Sequence, residues 1–179
     1  PGDIKVQDVD GNGVITTDDR IIYSQRPDVT FGFNNTFNYK GFDLSVFLYA
    51  RLGQWIAYDY NTTYRINALE NGGNVDYWTP ENPTNAFPRP NKSKSYTQVT
   101  YYSTLKYEDG SFFKIRDITL GYTFKPELLK HLNLSRLRVY ATAKNFFTFS
   151  KIDNYDPEQG GSISFPMTKQ LVFGLNVEF

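Results

Sequence analysis

The stretch from Asp8 to Asp19, DVDGNGVITTDD, gathers the side chains of this sequence best suited to chemistry. Counted from Asp8, the residues Asp10 and Asn12 fall at positions three and five, Thr16 at nine and Asp19 at twelve, which is the spacing of a calcium loop. A hard cation needs several oxygens, and this pattern offers carboxylates, an amide, a hydroxyl and the Val14 backbone carbonyl. Gly13 takes the sharp-turn position, and Ile15 is the apolar residue that would tie the loop to the body. Two features depart from the pattern: Asp19 is a shorter arm than the usual bidentate Glu, and PGDIKVQ ahead of the loop does not read as an entering helix. The alternative is a metal-free Asx/Gly turn. A turn needs few of these oxygens whereas an ion needs nearly all of them, so the spacing favours calcium in a structural role. A short helix is expected over 17–24.

Covalent and acid–base chemistry has less to work with. There is no Cys, and the one His, His131, stands beside Lys130 in a connecting turn, so no nucleophile and base share a telling spacing. Asp156 and Glu158 are neighbouring loop carboxylates of the kind that are usually just solvated, and the carboxylates on strands, Asp43, Asp117 and Glu178, form no pair. The sequence reads as non-enzymatic. Ligand contact falls instead to the aromatics Trp55, Tyr77, Trp78 and Phe87, which can stack on sugar or peptide or pack their loop upon itself.

These residues are carried by strands with a period of two. Leu171, Phe173, Leu175, Val177 and Phe179 share one face of the last stretch, against Val172, Gly174, Asn176 and Glu178. The same pattern appears over 30–39, 42–53, 112–124 and 137–149, at about the nine to eleven residues that cross a bilayer. In the second strand Phe42, Leu44, Val46, Leu48, Ala50 and Leu52 point one way. The other face holds Asp43 and Arg51 at its two ends, which suits a wet lumen better than a dry core. Strict alternation in the third puts Arg116 on the apolar side, where it would snorkel toward headgroups. YKGF and KPELLKHLNLSR are short connections, whereas 1–29, 54–111 and 150–167 are long outer loops. Parity therefore puts the acidic loop on the outer side, and two aromatic belts emerge: Tyr39, Phe42, Tyr122, Phe124 and Phe179 below, Phe31, Phe147 and Phe149 above. The fold class is all-β, antiparallel strands of a large transmembrane barrel.

Composition agrees. The 19 basic and 19 acidic residues cancel, which leaves no field to hold nucleic acid, and 17% of the residues are aromatic. Mean hydropathy is negative and no run is long enough for a spanning helix, a test that barrels evade because lipid-facing and lumen-facing residues alternate. The chain opens at Pro1 without an initiator Met or a targeting segment and is read as a piece of something longer.

The motifs PGDIKVQDVDGNGVITTDDR, YKGFDLSVFL, YWTPENPTNAFPRP, EDGSFFKIRDITLGYTF, LRVYATAKNFFTF and LVFGLNVEF, in that order, resemble the carboxy-terminal part of SusC/RagA-like, TonB-dependent outer-membrane transporters of Bacteroidota. The resemblance implies a barrel of roughly 22 strands in the complete protein, coupling to TonB through an amino-terminal plug that these residues lack, and a SusD-like surface lipoprotein closing the outer mouth. It implies import of oligosaccharides or peptides, and a role for the terminal aromatic, Phe179, as an assembly signal. The alternative from a different class is a secreted, soluble all-β module that binds glycan with calcium; such a module would need no detergent.

Overall fold

A computed structural model describes residues 1–64, 72–93 and 102–179. Its five long strands are β1 (Val29–Tyr39), β2 (Phe42–Leu52), β5 (Phe112–Thr123), β6 (Arg136–Ser150) and β7 (Gln170–Glu178), and between β2 and β5 lie the short β3 (Trp55–Ala57) and β4 (Tyr107–Asp109). The long strands make one antiparallel sheet in the order β1-β2-β5-β6-β7, an up-and-down meander in which each strand pairs with the next long one. The strand limits lie within two residues of those expected from alternation.

Local chemistry explains the turns. Between β1 and β2 only Lys40 and Gly41 remain, both at positive φ (47° and 89°), as a two-residue hairpin following right-twisted strands requires. A side chain on Gly41 would meet the Thr123 carbonyl at 2.8 Å, so glycine also lets this hairpin sit against the end of β5. After β5, Pro126 opens the helical turn α2 (Pro126–Leu129), where its missing N–H costs nothing, and Asn133 at φ 51° ends the following 3-10 turn.

Register turns sequence alternation into two chemically distinct faces. Phe37, Leu44, Leu120, Ala141 and Phe173 form one row across all five strands, and Thr36, Ser45, Thr119, Thr142 and Val172 form the row behind it. On the first face, Phe173 is 77% exposed and Leu175 68%, which a soluble sandwich would have covered with a second layer. The second face is polar and locally paired: the hydroxyls of Thr119 and Thr142 are 2.9 Å apart, and the Arg138 guanidinium grips the Asp43 carboxylate with two hydrogen bonds. Gly121 lies beneath that pair, where a Cβ would come within 2.5 Å of both partners, and Gly174 makes the same allowance for the Tyr140 ring.

The placement of Arg116 on the lipid side is corrected by the strand pairing. The register between β2 and β5 shifts at this residue, with Phe47 opposite Asp117 and Leu48 opposite Ile115. The extra residue is a β-bulge that resets the phase of the strand. Arg116 turns to the polar face, 5.4 Å from the Tyr49 ring centre and 3.0 Å from Glu158.

Above the sheet, the segment between β2 and β5 is less irregular than its composition suggests. β3 and β4 pair antiparallel, Trp55 opposite Asp109, followed by the short helix α1 (Asp59–Thr62). Two small cores tie the loops together. Ile56, Tyr58 and Ile152 are buried with Tyr60, Tyr155 and Ile163 against them; Tyr64 and Phe87 are buried with Val75 and Leu105. The expected helix over 17–24 reduces to a 3-10 turn at Thr17–Asp19, and at Arg20 the backbone is already extended. The β-branched pair Ile21-Ile22 that follows gives a helix little to continue on.

Candidate functional site

The acidic loop folds around its own carboxylates. Asp8 accepts hydrogen bonds from the backbone N–H groups of Gly11 and Gly13, both at 2.7 Å, and Asn12 accepts from Val14 at 2.8 Å. Asp19 returns to close the loop, taking the Thr16 N–H on one oxygen and the Val9 N–H on the other, each at 2.7 Å. The Thr16 hydroxyl accepts from Asp18, which completes a capping box with Asp19. Those backbone donors, Thr16 first and Val9 next, hold the Asp19 carboxyl below the usual carboxylate range. Gly11 and Gly13 both sit at positive φ, the backbone form that the tight winding demands.

The consequence is convergence. One carboxylate oxygen each from Asp8, Asp10 and Asp19 lies within 4.8 Å of the others. Oxygens that share a calcium ion sit about 2.3 to 2.6 Å from it, so no two of them can be more than about 5 Å apart. The three carboxylates meet that limit. Asn12 approaches from the same turn, its amide donating to Asp10 at 2.8 Å.

The aromatic residues singled out from the sequence divide. Trp55 packs on Tyr23, ring centres 4.3 Å apart, and so clamps the segment leaving the acidic loop onto β3. Tyr77 is 41% exposed and stands 6.4 Å from Tyr64. Trp78 covers Gly2, where a Cβ would meet its ring at 2.5 Å; the adjoining Arg89 N–H donates to the Gly2 carbonyl. Phe87 does not act as an open stacking face. It is buried edge-on against Tyr64 at 5.3 Å, with its backbone bonded to Asp76 and Trp78, because the loop uses this ring to build its own core.

The densest charge arrangement has no signal in the sequence. Lys114, on the polar face of β5, has no exposed side chain and places its ammonium 2.6 Å from Asp156 and 2.8 Å from Glu158. Asp156 caps the 3-10 turn Pro157–Gln159 through the Glu158 N–H, so both carboxylates are presented by one rigid turn. Arg116 binds the other Glu158 oxygen. The expectation that Asp156 and Glu158 are merely solvated is therefore corrected: they hold the β6–β7 loop down on the wall, and Gly161 of that loop accepts from the Asp59 N–H at 3.0 Å.

A sheet with one apolar and one charged face, crowned by interlocked loops, has counterparts among known proteins. The TonB-dependent receptor P3 of Formosa agariphila is 31% identical over the whole chain, and SusC of Bacteroides thetaiotaomicron is 31% identical over 96% of it. The solved RagAB peptide transporter superposes on 89% of the chain with a TM-score of 0.72 and 27% identity. The chain belongs to the SusC/RagA-like family of TonB-dependent transporters. It spans about a fifth of the length of the relatives it matches, 19% of the P3 receptor and 17% of SusC. No protein-family model matches it. As a SusC/RagA-like chain it is an outer-membrane β-barrel protein, and its five-stranded sheet is barrel wall. RagAB in its closed-closed state, described as a peptide importer, matches 96% of the chain at the same TM-score, with the loops above the wall included in that share.

Proposed function

We propose that the protein is a TonB-dependent importer of oligosaccharides or peptides, and that residues 1–179 supply part of its barrel wall and outer mouth. The observation that carries this reading is the division between the two faces of one sheet, exposed Phe and Leu on one and the Lys114, Arg116, Asp43 and Arg138 ion pairs on the other. A SusD-like lipoprotein would close over the mouth, and TonB would act through a plug contributed by other parts of the protein. The relatives are named as receptors and transporters, which supports a non-enzymatic role. Between peptide and glycan, likeness to the RagAB peptide transporter favours peptide by analogy. Uptake of labelled oligopeptides and oligosaccharides by cells carrying the complete transporter tests this. Uptake of at least one class should vanish without TonB or the lipoprotein; TonB-independent uptake would overturn the reading.

Calcium belongs to the same proposal. Asp8, Asp10, Asn12, Thr16, Asp19 and the Val14 carbonyl would hold the ion on the cell-surface side as a clamp, supported by the convergence of the three carboxylates. Calorimetric titration of calcium into the chelator-treated complete protein checks it. Affinity in the range of about 0.1 to 1 mM is enough for an extracellular site, and no heat beyond the Asp10→Ala control would leave the Asx/Gly turn as the full account. Of the four rings singled out from the sequence, Tyr77, Trp78 and Trp55 retain an open or half-open side that could meet substrate. Phe179, 93% exposed, would serve as assembly signal, so its deletion should lower insertion into the membrane.

A further inference from the structure

The apolar face is not uniformly convex. Along β6 its side chains shrink from Leu137 and Val139 to Ala141 and Ala143, while the flanking strands keep large ones. Register places Ala141 directly between Leu120 of β5 and Phe173 of β7, and Val139 between Tyr122 and Leu175. The result is a groove of about 540 Å³ that runs along β6 with Ala141 in its floor. Its walls stand two strand spacings apart, about 10 Å between backbones.

The groove occupies one half of the membrane. Its floor lies within a few residues of the β5–β6 connection, on the side of the short turns. There it is bounded by an aromatic cluster: the Phe42 and Tyr122 rings are 4.6 Å apart, and Phe124 meets Tyr122 edge-on at 5.1 Å. The hairpin carrying Lys40 is bonded to this corner, since the Thr123 N–H donates to the Gly41 carbonyl at 2.7 Å. Lys40 covers the Tyr39 ring at 5.1 Å, and Lys125 and Lys130 lie in the neighbouring connection. None of these three ammonium groups has an ion pair among the described residues. Of the nearby carboxylates, Asp43 is taken by Arg138 and Glu178 by Arg136, which leaves Glu127.

An apolar slot flanked at its turn end by two connections that carry unpaired lysines is complementary to a lipid with an anionic headgroup. We propose that this groove seats an acyl chain of one phospholipid from the periplasmic leaflet, its phosphate resting against the lysines of the two short turns. The assignment rests on the membrane-spanning reading of the sheet. Substrate recognition has no part in it, because the groove opens on the opposite face from the ion pairs.

Native mass spectrometry of the complete transporter, purified in detergent and titrated with phosphatidylglycerol, tests it. One phospholipid should remain bound to each barrel after loosely held lipid is stripped. Ala141→Phe, which fills the floor, should lose most of that retained lipid, and Ala141→Leu should lose part of it, whereas Val46→Phe, two strands away on the same face, should keep it. Lys40→Glu should weaken retention. Equal retention by all variants, or none by the unaltered protein, would overturn the proposal. So would a change in oligomeric state in Ala141→Phe, since it would assign the groove to a second barrel. Failure of the membrane reading itself would look different: a protein monodisperse without detergent.

Discussion

Lys114 and Asp156 are 42 residues apart in sequence and 2.6 Å apart in space. Their contact sets the posture of the mouth. The loop that carries Asp156 also contributes Ile152, Tyr155 and Ile163 to the core around Tyr58, so a single cation on the wall orders both the β6–β7 loop and the segment after β3.

Replacing Lys114 with Met should therefore release the β6–β7 loop. The Lys side chain is fully covered and the carboxylates of Asp156 and Glu158 are 12% and 11% exposed, so Asp156 would lose its cation and Glu158 would keep only Arg116. Removing one member of such a buried group costs about 3–5 kcal/mol. Faster hydrogen exchange and proteolysis in 151–169 and in the segment after β3, with the long strands unchanged, is the expected result, and Asp156→Asn with Glu158→Gln in the same chain should recover part of the protection.

The two faces should tolerate charge unequally. Leu120→Arg should impair assembly by an amount approaching the ~2–4 kcal/mol of a midplane charge, and Leu175→Arg, nearer the strand end, by less. Changes at Thr119 or Asn176, one residue away on the polar face, should be mild. Heat-modifiable migration of the complete barrel on gels reads the difference.

Acidity should loosen the outer loop. The Asp19 carboxyl is held below its ordinary value of 3.8 by N–H donors that exist only in the folded loop. Its contribution to order is thus fully present above that value and is lost as the pH falls through the lower, folded one. Asp19→Asn should remove this dependence, leaving amide exchange at Val9 and Thr16 fast throughout that window. Asp10→Ala should weaken calcium binding without moving the strands.

Phe87→Ala should act on the loops, because the ring is part of their core. Truncation of a buried Phe costs about 3–5 kcal/mol. Protection of Tyr64 and of residues 75–88 should fall while that of β1 and β7 stays, as measured by peptide-resolved hydrogen exchange.

What the sequence disclosed follows from how far each signal reaches. Alternation is a property of neighbours, so β1, β2, β6 and β7 can be drawn to within two residues. The three-residue strands β3 and β4 are too short to show a period. Alternation misplaces Arg116 because a bulge is visible only against a partner strand; Arg116 shares the parity of Ile118 and Leu120 until Leu48 and Phe47 are set opposite. The Asp156–Lys114 contact has no local signature. Phe87 shows the limit of composition, since an aromatic-rich loop does not reveal which rings it keeps for itself. The winding of the acidic loop is legible because its Asp, Asn and Gly residues are contiguous.

The bulge at Arg116 makes β5 unequal in its response to lost residues. Ile115 and Asp117 already occupy opposite faces, so deleting Arg116 would leave every other residue of the strand on its present side. Deleting Thr119 would reverse one half of β5 relative to the other, delivering either Lys114 to the acyl chains or Leu120 to the lumen. The strand can shed a residue at this point and almost nowhere else; the bulge is where the wall can be edited.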